Sequence, residues 1–225
     1  MELNSIITPD AASALIGAII GGAATLLATL ISNSLSKRNA RAEHLSTIVN
    51  SIKLIKVELQ AAWGIYRSEY AGELESLEDG EPCICLWPIG KDTFTIYNSM
   101  PHCLVEISPL TSAKVVEVYM RLKGLVAMIE ENNSFVLAVK KAGHEKLSEM
   151  VGLAEKQGDN SLAEAAKHQE FYEEYVRLEA IKTEMGLYAD AMKLLSRSIA
   201  AEFEGIFSSL DKELNELNVA ISKLS

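Results

Sequence analysis

The sequence predicts an all-α protein: one N-terminal transmembrane helix continuing into an elongated, coiled-coil-like helical bundle. Three observations carry this. An uncharged, mostly apolar run extends from Ala11 to Ser36. Beyond it, apolar residues recur in steps of three and four over long stretches without proline. Four of the five prolines fall within residues 82–110, which confines irregular backbone to one insert.

The first element is the uncharged run. About 20 apolar residues rising 1.5 Å each cross a hydrocarbon core of about 30 Å. Lys37, Arg38 and Arg41 follow directly, whereas the ten residues before the run carry only acidic side chains. That bias predicts a short external tail over 1–10, a span over 11–36 and a cytoplasmic domain over 37–225 in a bacterial inner membrane. The missing basic n-region argues against a cleaved signal peptide. On a helical wheel Leu15, Ile16, Ile19, Ile20, Leu26, Leu27, Leu30 and Ile31 share one arc. Gly17, Gly21, Ala24 and Ala28 lie on the opposite, small-residue arc. In lipid, helices associate through close backbone approach across small residues, so these four positions predict a homo-oligomer. Lys37, Arg38 and Arg41 are expected to meet anionic lipid headgroups and set topology.

The span is expected to run on as one rod. Leu45, Ile48, Ile52, Ile55, Leu59, Ala62 and Tyr66 form a heptad seam that fades near Tyr70 to Leu77. Glu78-Asp79-Gly80-Glu81-Pro82 is turn chemistry and opens an insert over about 78–110. Within it, Cys83 to Trp87 reads as a short extended piece, Thr93 to Ser99 as a short helix, and Leu104 to Ile107 as an apolar plug. Ser108-Pro109 then starts a helix, with serine as N-cap and proline in the first turn. Val115, Val116, Val118, Tyr119, Leu122, Leu125, Val126 and Ile129 give that helix its apolar stripe, and Glu131-Asn132-Asn133 is expected to stop it. A further helix covers Phe135 to Gln157, ended by Gly158-Asp159-Asn160. Ser161 and Glu164 form a capping box for a long C-terminal helix over about 161–225. Its seam runs through Phe171, Tyr175, Leu178, Met185, Tyr188, Met192, Leu195, Ile199 and Phe203 and on through Phe207, Leu210, Leu214, Leu217, Ile221 and Leu224, with a bend or split expected near Gly186 or Gly205. The first and last long helices are expected to be antiparallel.

Composition narrows function. The 225 residues carry a formal net charge of −10 and only one basic cluster, so the domain repels phosphate backbones and no nucleic-acid partner is expected. Three cysteines facing the cytoplasm imply no disulfide framework. Cys83, Cys85, His102 and Cys103 nevertheless gather every cysteine beside a histidine, a thiolate and imidazole set that suits tetrahedral zinc. Cys-x-Cys and adjacent His102-Cys103 depart from the usual knuckle spacing, and cysteines beside Leu86, Trp87 and Leu104 also suit a core. Core packing is the preferred reading, with a zinc-dependent regulator or enzyme as the alternative. Glu164 and His168 stand four residues apart rather than in the Glu-x-x-His spacing a di-iron bundle needs on two helices, and Gly90-Lys91 lacks the upstream glycine of a phosphate loop. No catalytic residues and no cofactor are expected.

Thr93 to Ser99, then Val105 to Leu110, then Ala113-Lys114-Val115-Val116-Glu117-Val118-Tyr119-Met120-Arg121-Leu122-Lys123 form a pattern. It resembles that of uncharacterised bacterial and prophage single-pass inner-membrane proteins with a helical cytoplasmic domain. In those, a short helix, a leucine-rich turn and a Val-Val-x-x-Tyr-x-x-Leu type helix follow one another. Some of them look like parts of phage-defence or toxin modules. The size-sorted span, the two long heptad seams and the absence of catalytic residues point to a non-enzymatic inner-membrane protein that self-associates and presents its helical domain to a cytosolic protein partner, and the resemblance implies a membrane effector of such a module. A phage structural or lysis component shares the same layout.

Overall fold

The computed structural model describes the backbone of residues 9–90, 93–157 and 169–224, and the side chains of 21–90, 93–154, 156 and 169–224. It is all-helical, and the described residues contain no strand. Helix α1 is Pro9–Tyr66, a single uninterrupted rod, followed by a π-helical turn, Arg67–Ala71, and the short α2, Gly72–Ser76. The insert holds α3, Thr95–Ser99, and a 3₁₀ segment, Pro101–Glu106. Helices α4, Pro109–Gln157, α5, Gln169–Lys182, and α6, Met185–Ser222, complete the chain. Among the described residues no helix is long and apolar enough to cross a membrane. The side chains of residues 11–20, the first part of the uncharged run, lie outside them, as do Ser161, Glu164 and His168.

The chain divides into two compact units. One comprises Met1–Asn50 with Leu214–Ser225, the other Ser51–Glu213. In the first, Leu45, Ile48, Val49, Leu214 and Leu217 are buried, and the Arg38 guanidinium donates to the Leu224 carbonyl at 2.9 Å.

The second unit is built on three long helices. Ile52, Ile55 and Leu59 of α1 are fully buried, as the heptad seam requires. Lys56 pairs with Asp211 and the Trp63 ring meets Phe203 at 5.2 Å, so this part of α1 runs antiparallel to α6. On α4, Val115, Val118, Tyr119, Leu122, Leu125 and Ile129 are buried, while Val116 stays 41% exposed. Arg121 contacts Ser198 and Glu202, and a Cβ on Gly124 would lie 3.7 Å from Leu195, which places α4 antiparallel to α6 as well. Val136, Val139, Val176, Ala180 and Met185 form a second buried cluster between α4 and α5. The buried positions of α1 continue through Tyr66, Tyr70 and Leu74 in steps of four. The wider π turn keeps that spacing on one face, where α-helical winding would drift away from it.

Two expectations are corrected, the end of α4 and the seam of α5. Helix α4 does not stop at Glu131-Asn132-Asn133 but passes through it, because those amides satisfy the insert rather than solvent. The split expected near Gly186 falls at Thr183-Glu184, with Glu184 in the left-handed region at φ 58°. The break resets the helical phase. In α5, Val176 and Ala180 are buried, while Phe171 and Leu178 of the expected seam are exposed. Cys83 to Trp87 lies outside any helix or strand and is held by side chains.

Candidate functional site

Two regions stand out from the packed core: the apolar arm of α1 and the insert. In the arm, Leu26, Leu27, Leu30, Ile31 and Leu35 are 52–67% exposed. Gly21, Ala24 and Ala28 are exposed on the same stretch, and a Cβ on Gly21 would meet nothing within 4 Å. Gly17, the other half of the small-residue pair, lies outside the described side chains. The hydroxyls of Thr25 and Thr29 donate to the carbonyls of Gly21 and Thr25, each at 2.8 Å. Back-bonding of this kind leaves no hydroxyl proton in need of water, which suits a helix in an apolar medium. Below the arm, Lys37 is exposed, and Arg38 is tied to Leu224.

The insert is fastened to the helices by polar side chains within the Ser51–Glu213 unit. Asn133 pairs with the backbone of Trp87 as a strand neighbour would: its Oδ1 accepts from the Trp87 N–H at 2.9 Å, and its Nδ2 donates to the Trp87 carbonyl at 2.7 Å. Asn132 donates to the Cys83 carbonyl at 3.2 Å. Glu58 accepts from the backbone N–H groups of Ile96 and Tyr97 and from the Tyr119 hydroxyl, at 2.8–2.9 Å. Burial, then the Glu58 carboxylate, push the Tyr119 phenol far above its ordinary value. Glu213 gathers the start of α4, accepting from the Ser108 N–H, the Ser108 hydroxyl and the Thr111 hydroxyl. Burial raises its pKa, but those hydrogen bonds outweigh the burial and hold the carboxyl below its usual range. Lys193, only 3% exposed, caps the end of the first helical run through the carbonyls of Leu77 and Glu78 at 3.2–3.3 Å and pairs with Asp190 at 2.8 Å.

The four Cys/His positions are not brought together as a set. Cys83 is buried, and Cys85 donates its S–H to Glu73 Oε1 at 2.6 Å. Trp87 Nε1 donates to the other Glu73 oxygen at 2.8 Å. Cys103 instead donates to the Met100 carbonyl at 3.0 Å, and His102 is exposed. Among the described residues no group of three His, Cys, Asp or Glu side chains is placed to hold a metal ion. Burial raises the Cys83 and Cys103 thiols, and burial together with the Glu73 carboxylate pushes Cys85 up to about 12. Thiols so placed stay protonated at neutral pH, which suits packing and hydrogen-bond donation rather than nucleophilic attack.

Sequence reasoning passed over Glu58, Glu213, Asn132, Asn133 and Lys193. Their signal was present: each is a polar residue within one position of a buried apolar one or inside a helix that packs on both sides. A polar residue persisting there marks a partner elsewhere in the chain. No protein-family model, curated protein or solved structure matches this chain.

Proposed function

We propose that the chain is a non-enzymatic, single-pass protein of the bacterial inner membrane. It self-associates through α1 and presents its helical domain to a cytosolic protein partner, as a membrane effector in a phage-defence or toxin module. The observation that carries the reading is the apolar arm. An uncharged run from Ala11 to Ser36 sits in one unbroken helix, and its described large side chains, Leu26 to Leu35, are mostly uncovered. Covering each contributes roughly 1–2 kcal/mol, and lipid covers them all at once. The small residues Gly17, Gly21, Ala24 and Ala28 supply the face on which copies approach. Lys37 and Arg38 supply the charge that keeps the following domain inside.

The test is carried out in native membranes. The chain should sediment with membranes through carbonate washing and crosslink as a ladder, and Gly17→Leu with Gly21→Leu should collapse the ladder to monomer. Extraction by carbonate would remove the membrane reading. A ladder that survives both substitutions would remove the proposed interface.

A further inference from the structure

The Ser51–Glu213 unit contains a partly enclosed cavity of about 210 Å³. Its walls include Ile65 and Tyr70 from the end of the first helical run, Pro88 and Phe94 from the insert, and Leu125 and Val126 from α4. Among the described residues, none that lines it carries a charge. The Tyr70 hydroxyl is already committed to the Pro88 carbonyl at 2.7 Å. Tyr66 and Thr93 are the other polar side chains in a lining that is otherwise apolar.

Two backbone anomalies meet at the same hollow. Tyr70 lies in the π-helical turn, a geometry that in α-helical proteins collects at functional sites. Phe94 adopts φ 63° and ψ 43°, the left-handed region that is unfavourable for an aromatic residue. Strain of this kind persists only where surrounding structure enforces it, and it gathers at ligand sites. Both features shape the cavity's walls.

We propose that this cavity binds a small, uncharged, largely apolar organic molecule, of the class of aromatic or branched-chain alcohols, ketones and esters. An apolar cavity of about 150 Å³ takes up benzene, so this one accommodates about eight to ten non-hydrogen atoms. That excludes a whole lipid acyl chain, and the described walls offer a carboxylate or phosphate no counter-charge. Trp87 packs on Tyr70 at 5.4 Å, which places an intrinsic reporter behind one wall. The inference is independent of what α1 does in a membrane.

The experiment uses the full chain in lipid nanodiscs, with 4-fluorobenzyl alcohol as probe and its ¹⁹F resonance as readout against empty nanodiscs. Binding should be saturable, should exceed partition into empty discs, and should shift Trp87 emission. Val126→Phe fills the cavity, and Ile65→Trp covers its rim from a position 52% exposed, where folding is insensitive to size. Each should weaken binding by about tenfold or more with helical circular dichroism unchanged. A signal no greater than that of empty nanodiscs, or undiminished affinity in both variants, would overturn the proposal.

Discussion

Asn133 shows how one amide can substitute for a missing β-ladder. Its side chain exchanges both hydrogen bonds with the backbone of Trp87, and Asn132 adds a buried bond to Cys83. Asn133→Ala should therefore destabilise the domain by about 1–3 kcal/mol, since the Trp87 backbone groups are left without partners. Denaturant unfolding followed by Trp emission would check it, and a change under about 0.5 kcal/mol would show that solvent replaces the clamp. Gly186 makes a sterically harder demand. A Cβ there would lie 1.9 Å from the Gly80 carbonyl oxygen, and Gly80 itself sits at φ 77°. Both partners are backbone, so neither can swing aside. Gly186→Ala should cost about 2–3 kcal/mol by overpacking, seen as a lowered melting temperature. Glu184, at φ 58°, points the other way: Glu184→Gly should raise stability by about 0.5–1 kcal/mol by removing left-handed strain.

At the scale of elements, Glu213 joins the start of α4 to α6 and gives that junction a pH dependence. Its carboxyl is held below its usual value by the hydrogen bonds from Ser108 and Thr111, against the opposing effect of burial. A depressed folded-state pKa stabilises fully above the unfolded value, about 4.3 for glutamate, and that contribution is lost as pH falls through the folded value. Unfolding free energy should then decline between about pH 5 and pH 3, and Glu213→Gln should flatten that part of the profile. An unchanged slope in Glu213→Gln would mean other carboxylates govern the acid transition. The π turn after α1 is the corresponding device at the other end of the unit. By keeping Tyr66, Tyr70 and Leu74 on one face, it carries a line of aromatic contacts from Trp63 through Tyr66 and Tyr70 to Trp87.

At the scale of the whole molecule, the prediction that matters most is orientation. Lys37, Arg38 and Arg41 follow the uncharged run, and the tail before it is acidic. On the proposed membrane reading, basic residues directly behind the span govern its topology. A periplasmic phosphatase fused after Ser225 should stay inactive in bacteria. Strong activity would place the domain outside, where Cys83, Cys85 and Cys103 would meet an oxidising environment.

The all-helical character, the seams on α1 and α4, the N-cap at Ser108 and the turn around Gly80 were legible in the sequence, because each rests on local periodicity or on local backbone preference. The insert's position was legible for the same reason, since its prolines break helices wherever they stand. Other features depended on residues far apart in the chain. Asn132 and Asn133 look like a helix stop until Cys83 and Trp87 take up their amides. The seam through Phe171 and Leu178 looks continuous with α6 until the left-handed residue at Glu184 rotates α5 onto Val176 and Ala180. Glu58 and Glu213 look like surface carboxylates until backbone N–H groups and hydroxyls from other elements converge on them. The cavity beside Tyr70 and Phe94 belongs to the same class. Periodicity identifies the face of a helix that is covered, whereas only the tertiary structure decides what covers it and where the covering is incomplete.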